Sequence, residues 1–214
     1  IPACQRSIKK AMAMNLMRAY GVSSLPETGT RCQIRFSLMK DVCTIMLDTS
    51  GEGLHKRGYR RESNAAPIKE TLAAGIIDLA RVRAGEIVCD PFCGSGTLLI
   101  EAAYKALGIA PGLRRSFAGE ALGFLPEKLW RQAREEAREA IRRDAQFTAV
   151  GFDIDPECVR LTLENAKKAG VSAYISAQTR AIKDYAPPAQ AVKLITNPPY
   201  GERLLEKEQA QEIY

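Results

Sequence analysis

Histidine is nearly absent from this 214-residue chain, His55 being the only one, and no two of its six cysteines are spaced as Cys-x-x-Cys. Those two shortages exclude the usual zinc sites, which need such pairs or several imidazoles, and no metal is expected. Cys4, Cys32, Cys43, Cys89, Cys93 and Cys158 are scattered rather than arranged as a disulfide framework, so they read as reduced thiols of a cytoplasmic protein. Long apolar runs are missing too, and no stretch approaches the roughly 20 residues a membrane helix needs, so no membrane partner is expected. The start, Ile1-Pro2-Ala3-Cys4, has no signal-peptide pattern and no initiator Met, and reads as the edge of a fragment. No Gly-Lys-Ser/Thr occurs, which excludes a P-loop. Gly94-Ser95-Gly96 is followed by Leu99 where the dinucleotide fingerprint needs a third glycine.

What remains is a globular composition, with 46% hydrophobic and 26% charged residues. Its net charge of +6 is unevenly spread. Residues 1–61 hold 11 Lys/Arg against 4 Asp/Glu, and residues 62–214 hold 20 against 21, so the whole excess lies in the first segment. A basic flank on a neutral body is the footprint of a polyanion partner, although a solvated surface would look the same.

Apolar residues at Ile8, Ala11, Met12, Leu16 and Ala19 predict a helix over 3–19, closed by Gly21. Residues 33–39 and 42–47 predict a hairpin turning at Lys40-Asp41. Residues 48–61 form a polar, basic connector, and Pro67 opens a helix running to about Ala80. The rhythm then changes to strand–helix alternation. Strands are predicted at 87–89, 147–152, 174–177 and 192–196, with helices at 98–106 and up to Ala169. That pattern predicts an α/β fold with a doubly wound, mostly parallel sheet. Four strands are few for such a sheet, so it reads as incomplete at its C-terminal strands. A helix over 126–144 with Pro126 at N1 interrupts the alternation. Its apolar face (Leu129, Trp130, Ala133, Ala137) and interleaved Glu and Arg residues predict a covering helix more than an RNA-gripping one.

Three sites follow strands, at the sheet edge where ligands bind in such folds. The first is Asp90-Pro91-Phe92-Cys93-Gly94-Ser95-Gly96-Thr97: its glycines permit close approach, and the next helix offers free N–H groups to a carboxylate or phosphate. The second is Asp153, suited to two ribose hydroxyls, because Asp155-Pro156 already supplies the helix cap. The third is Asn197-Pro198-Pro199-Tyr200. Each proline stiffens the segment and the residue before it. The Asn197 carboxamide and the Pro198 carbonyl can then accept both hydrogens of an exocyclic NH₂, while Tyr200 offers a face to a base.

In order and spacing, these segments with Gly151-Phe152-Asp153-Ile154-Asp155 and Asn197-Pro198-Pro199-Tyr200-Gly201-Glu202-Arg203 resemble class I S-adenosylmethionine-dependent methyltransferases that modify base amines. Leu54-His55-Lys56-Arg57-Gly58-Tyr59-Arg60, Ala66-Pro67-Ile68-Lys69-Glu70-Thr71-Leu72-Ala73 and Ala110-Pro111-Gly112-Leu113 resemble the bacterial THUMP-containing RNA guanine-N2 methyltransferases acting on large-subunit ribosomal RNA. The resemblance implies a Rossmann-like domain over 67–214, a basic connector over 51–66, and a small α+β THUMP remnant over 1–50. It implies S-adenosylmethionine held by Asp90, Pro91, Cys93, Gly94, Ser95, Gly96, Thr97 and Asp153. It also implies transfer at Asn197, Pro198 and Tyr200, with RNA against Pro199, Lys56, Arg57, Arg60 and Arg61. Thr179 stands where such enzymes usually place an Asp for the adenine amine, leaving Gln178 or a backbone carbonyl for that contact. Adenine-N6 methylation, glutamine-amide methylation and a non-catalytic RNA-binding module are the competing readings.

Overall fold

The computed structural model describes residues 2–60, 67–186 and 191–199. Helix α1 (Pro2–Tyr20) is followed by strands β1 (Gln33–Met39) and β2 (Val42–Asp48), paired antiparallel from Gln33↔Asp48 to Met39↔Val42. The hairpin turns on Lys40 and Asp41, both in the left-handed region at φ 48° and 61°. This is the geometry that matches strand twist across a two-residue turn. Neither α1 nor the hairpin contributes a buried side chain.

The core lies in the second part. Helix α2 (Glu70–Leu79), strand β3 (Ile87–Asp90) and helix α3 (Thr97–Leu107) lead through α4 (Ala118–Ala121) and α5 (Glu127–Glu139) to β4 (Thr148–Asp153). Helix α6 (Pro156–Ala169), β5 (Ile175–Thr179) and β6 (Val192–Leu194) complete the described chain. The four strands are all parallel, in the order β5-β4-β3-β6. The chain thus winds outward from β3 to β5, then crosses back to place β6 on the other side of β3. The reversal opens a crevice beyond the carboxyl ends of β3 and β6, the place where open α/β sheets bind ligands.

Helix α3 is buried nearly all round, with only Lys105 exposed, because it is packed between α2 and the sheet. Leu99 and Ile100 are fully buried there, each contributing about 1.5–3 kcal/mol of apolar burial. Val88, Ala149 and Ile175 meet them from the strands and Ile77 from α2.

Two helix starts differ from the sequence expectation. Helix α2 begins at Glu70 rather than Pro67, with Lys69 as its extended N-cap. The Ile68 carbonyl is instead held by the Arg60 guanidinium at 3.1 Å. Pro126 is the N-cap of α5 and not its first residue, since its ψ of 138° is not helical. Helix α5 also covers less than its pattern suggests. Leu129 is exposed and Trp130 half-buried, stacked on Phe117 at 6.1 Å. Its Arg134 pairs outside the helix, with Glu120 at 2.6 Å.

Candidate methyl-transfer site

The crevice is built from three strand ends. Asp90 closes β3 and is 2% exposed. Its Oδ1 accepts from the Thr196 hydroxyl at 2.7 Å and from the Phe92 N–H at 3.1 Å. Its Oδ2 has no donor among the described residues. Burial pushes this carboxyl up to about 6, opposed by those two hydrogen bonds and reinforced by the charge of Asp153. The Thr196 bond crosses from β6 to β3, and the Ile195 N–H donates to the Cys89 carbonyl at 2.9 Å. The segment Asn197-Pro198-Pro199 therefore leaves the sheet beside the glycine loop. Asn197 is exposed and has no hydrogen-bond partner among the described residues; Pro198 and Pro199 are half-buried. Tyr200 and Arg61 lie outside the described residues.

The glycine loop is held by helix α6. Gly94 and Gly96 take φ values of 52° and 77°. The Thr162 hydroxyl donates to the Gly94 carbonyl at 3.0 Å, and the Asn165 amide to the Ser95 carbonyl at 3.0 Å, both side chains being buried. The loop then delivers α3 with Gly96 as its N-cap and no side chain across the helix end. Its first N–H groups stay available to an anion. A Cβ on Gly96 would come within 2.9 Å of the Thr162 methyl in a backbone conformation that L-residues avoid. Gly96→Ala is expected to cost about 1–3 kcal/mol of stability and to weaken cofactor binding further by pushing the loop off α6. Urea denaturation and calorimetry measure the two effects.

Several of the expected residues also serve the loop itself. Cys93, Ser95 and Thr97 are buried, and their side chains shape the loop. The Cys93 thiol, pushed up to about 12 by burial, packs at Thr162. Ser95 and Thr97 lie hydroxyl to hydroxyl at 3.3 Å. Pro91 is buried beside them. Asp153 is not free, because its Oδ2 accepts from the Gly94 N–H at 2.9 Å and its Oδ1 from the Asp155 N–H at 3.0 Å. It ties the end of β4 to the glycine loop while staying half-exposed. Asp155 caps α6 through the Glu157 N–H at 2.9 Å, as its spacing before Pro156 predicts. Gln178 and Thr179 are both exposed at the end of β5.

Among the connector cations, Arg57 faces Glu101 at 3.5 Å and Arg60 faces Glu70 at 2.8 Å, each with a mostly buried side chain. The steering of phosphate expected of both is revised by those pairings, which tie the connector to α3 and α2. Arg60 also donates to the Thr97 hydroxyl at 3.3 Å, at the start of α3. Lys56 is exposed and pairs with Glu52 at 3.0 Å. The positioning residues Thr162, Asn165 and Thr196 carry no sequence signal of their own.

A parallel sheet with a reversed strand order, a glycine turn after β3, an acid after β4 and a proline-stiffened Asn after β6 defines a Rossmann-like class I methyltransferase fold. The chain belongs to the UPF0020 family, RMKL-like, methyltransferase domain, whose model matches residues 57–214. It is 41% identical over 216 residues to "Putative RNA methyltransferase YpsC" of Bacillus subtilis (strain 168), covering 100% of this chain and 56% of the relative. It is 42% identical over 180 residues to "Ribosomal RNA large subunit methyltransferase K/L" of Vibrio campbellii (strain ATCC BAA-1116), covering 80% of this chain and 25% of that protein. The crystal structure titled "SMU.472, a putative methyltransferase complexed with SAH" superposes with a TM-score of 0.90 at 38% identity, over 99% of this chain and 56% of the other. The chain thus spans about half the length of the first relative and a quarter of the second. Among the described residues no helix is long and apolar enough to cross a membrane, and no cluster could hold a metal ion.

Proposed function

We propose that the protein transfers a methyl group from S-adenosylmethionine to the N2 amine of a guanine in large-subunit ribosomal RNA. The observation that carries this reading is the Thr196–Asp90 hydrogen bond of 2.7 Å, which joins the strand bearing Asn197 to the strand bearing the glycine loop. The relatives named for RNA and ribosomal RNA methylation, and the neighbour titled as an SAH complex, support it.

The residues present suit that cofactor. Asp90 Oδ2 lacks a donor and can receive an ammonium. The uncapped start of α3 can receive a carboxylate. Asp153 is half-exposed with lone pairs left for ribose hydroxyls. S-adenosylmethionine, when bound, supplies a sulfonium methyl that needs no activation. The chain's task is to aim the amine. A guanine N2 lone pair is delocalised into its ring. Asn197 Oδ1 and the Pro198 carbonyl, by accepting both amine hydrogens, would direct that pair at the methyl carbon as the carbon–sulfur bond breaks. One amine proton then departs to water. Alignment of two bound reactants accounts for about 7–11 kcal/mol of barrier, so no strong base is required. The target base must leave its stack to enter.

Residues 1–50 are proposed to belong to a THUMP-like RNA-binding unit. In support, α1 displays Arg6, Lys9, Lys10 and Arg18 on an exposed surface. Incubation with ribosomal RNA and isotopically labelled cofactor, followed by nucleoside digestion and mass spectrometry, tests the reading. Labelled N2-methylguanosine is expected. Labelled N6-methyladenosine, or label on protein glutamine, would overturn it.

A further inference from the structure

A groove of about 710 Å³ runs between the connector and the loop around Arg115, and a deeper cavity of about 340 Å³ lies beside it. The two share Arg57 and Arg114 among their lining residues and so lie side by side. Neither is the methyl-transfer crevice. The deeper part is lined by Arg57, Arg114, Arg142 and Arg143 and by no carboxylate. The groove has two acids, Glu52 and Glu70, and both are already paired, with Lys56 and Arg60.

Arg57 is already neutralised by Glu101. Arg114, Arg142 and Arg143 remain around 340 Å³ with no carboxylate among the lining residues, and their mutual repulsion falls when an anion lies among them. Arg114 and Arg142 are nonetheless held in place. Arg114 donates to the Lys168 carbonyl at the end of α6, and Arg142 to the Ala106 carbonyl at the end of α3, at 2.8 Å for the latter. Arg115 bridges the Ser50 and Gly53 carbonyls at 3.1 and 3.0 Å. Each guanidinium has five donors, so these backbone bonds fix direction and leave donors over. The Nε atoms of Arg57 and Arg115 are buried without a hydrogen-bond acceptor. Arg143 is exposed and makes no ion pair among the described residues. Forked donors with acceptors still to be found suit phosphate.

Its course selects the kind of phosphate. Arg60 touches Thr97 where α3 leaves the glycine loop, Arg57 touches Glu101 one turn on, and Leu107 at the helix end lines the arginine cavity. The track follows α3 away from the crevice for about 15 Å, at 1.5 Å per residue. From these observations we infer that the groove carries the phosphodiester backbone of the RNA whose base enters the crevice, and that Arg114, Arg142 and Arg143 are its distal anchor. This rests on the RNA reading above and extends it to a second surface.

The test uses the full-length protein and a fluorescent single-stranded RNA, with affinity followed by anisotropy from 50 to 300 mM salt. Each phosphate contact contributes about 0.7 to the slope of log K against log salt. Arg114→Gln with Arg143→Gln is expected to lower the slope by about 1.4 and to weaken RNA binding at least about tenfold, with S-adenosylmethionine affinity unchanged. The Arg→Lys pair is expected to keep the slope, and Arg143→Gln alone, at an exposed position, covers the case in which the double variant fails to fold. An unchanged slope in a folded glutamine variant overturns the inference, as does weaker binding without a slope change. Micromolar competition by inorganic phosphate overturns it as well, in favour of a small-anion site. Methylation of the wrong base would sink the functional reading and leave the slope result standing. Failure of the wild type to bind RNA would sink both.

Discussion

Asn197→Ala is expected to lower kcat by about two to three orders of magnitude or more, the range seen when one pre-aimed polar group is removed from a transition state, while cofactor Kd stays within about twofold. The difference between the two effects follows from the geometry. Asn197 is exposed and makes no hydrogen bond with the described protein, so its loss leaves no buried group unsatisfied. The contacts that join β6 to β3 are made by Ile195 and Thr196, which the substitution leaves in place. The cofactor groove, built from Asp90, the glycine loop and Asp153, keeps its shape. Only the acceptor for the amine hydrogens is missing, and the amine lone pair then stays in its ring. Single-turnover methylation and calorimetry on the same preparation separate the two effects. An equal loss of cofactor affinity would show that Asn197 holds the donor rather than the target.

Much of this site is legible in the sequence because local chemistry determines it. A strand running into Asp-Pro and two close glycines has few conformations other than a sharp turn into a helix. The Asp155-Pro156 pair announces a helix start whatever lies around it. The tetrapeptide beginning at Asn197 is stiff by virtue of its own prolines. What the sequence does not disclose is contact across distance. Thr162 and Asn165 look like ordinary polar residues on an amphipathic helix, yet they hold the glycine loop from 68 and 70 residues away. Thr196 reads as the last residue of a strand until β6 is placed beside β3, 106 residues from Asp90. The basic connector shows the same blindness in the opposite direction. Its charge predicts solvent and phosphate for Arg57 and Arg60. The fold instead brings Glu101 and Glu70 to them, because α3 and α2 pack together above the sheet. The acceptor-poor cations are farther along the chain, in a segment whose overall charge is balanced.

Asp90→Asn is expected to separate stability from binding, and to do so with opposite dependence on pH. Asp90 titrates near 6 in the folded protein, against an ordinary value of 3.8. Below about pH 3 it is mostly protonated whether the chain is folded or not, and its burial carries little charge penalty. As pH rises the unfolded chain ionises first, and the folded state loses stability until pH exceeds about 6. The loss is then about 3 kcal/mol, from about 2 pKa units at 1.36 kcal/mol each. Asparagine cannot ionise, and its carboxamide oxygen can still accept from Thr196. The variant should therefore match the wild type at about pH 3 and exceed its unfolding free energy by up to about 3 kcal/mol at pH 7.5. Cofactor binding should run the other way. An ionised Asp90 attracts the ammonium of the methionine moiety, so wild-type affinity should climb through about pH 6. The Asn variant should bind about 10–100-fold more weakly at pH 7.5, with no such climb, as expected for the loss of a charge-assisted hydrogen bond. Urea titrations and calorimetry at both pH values give the four numbers needed. A variant less stable than the wild type at pH 7.5 would mean that Asp90 is held ionised by partners stronger than Thr196 and Phe92. Unchanged cofactor affinity would mean that the ammonium lies elsewhere in the crevice. Gained stability with lost affinity would show that the strain of burying this carboxylate is kept in the fold because the cofactor relieves it.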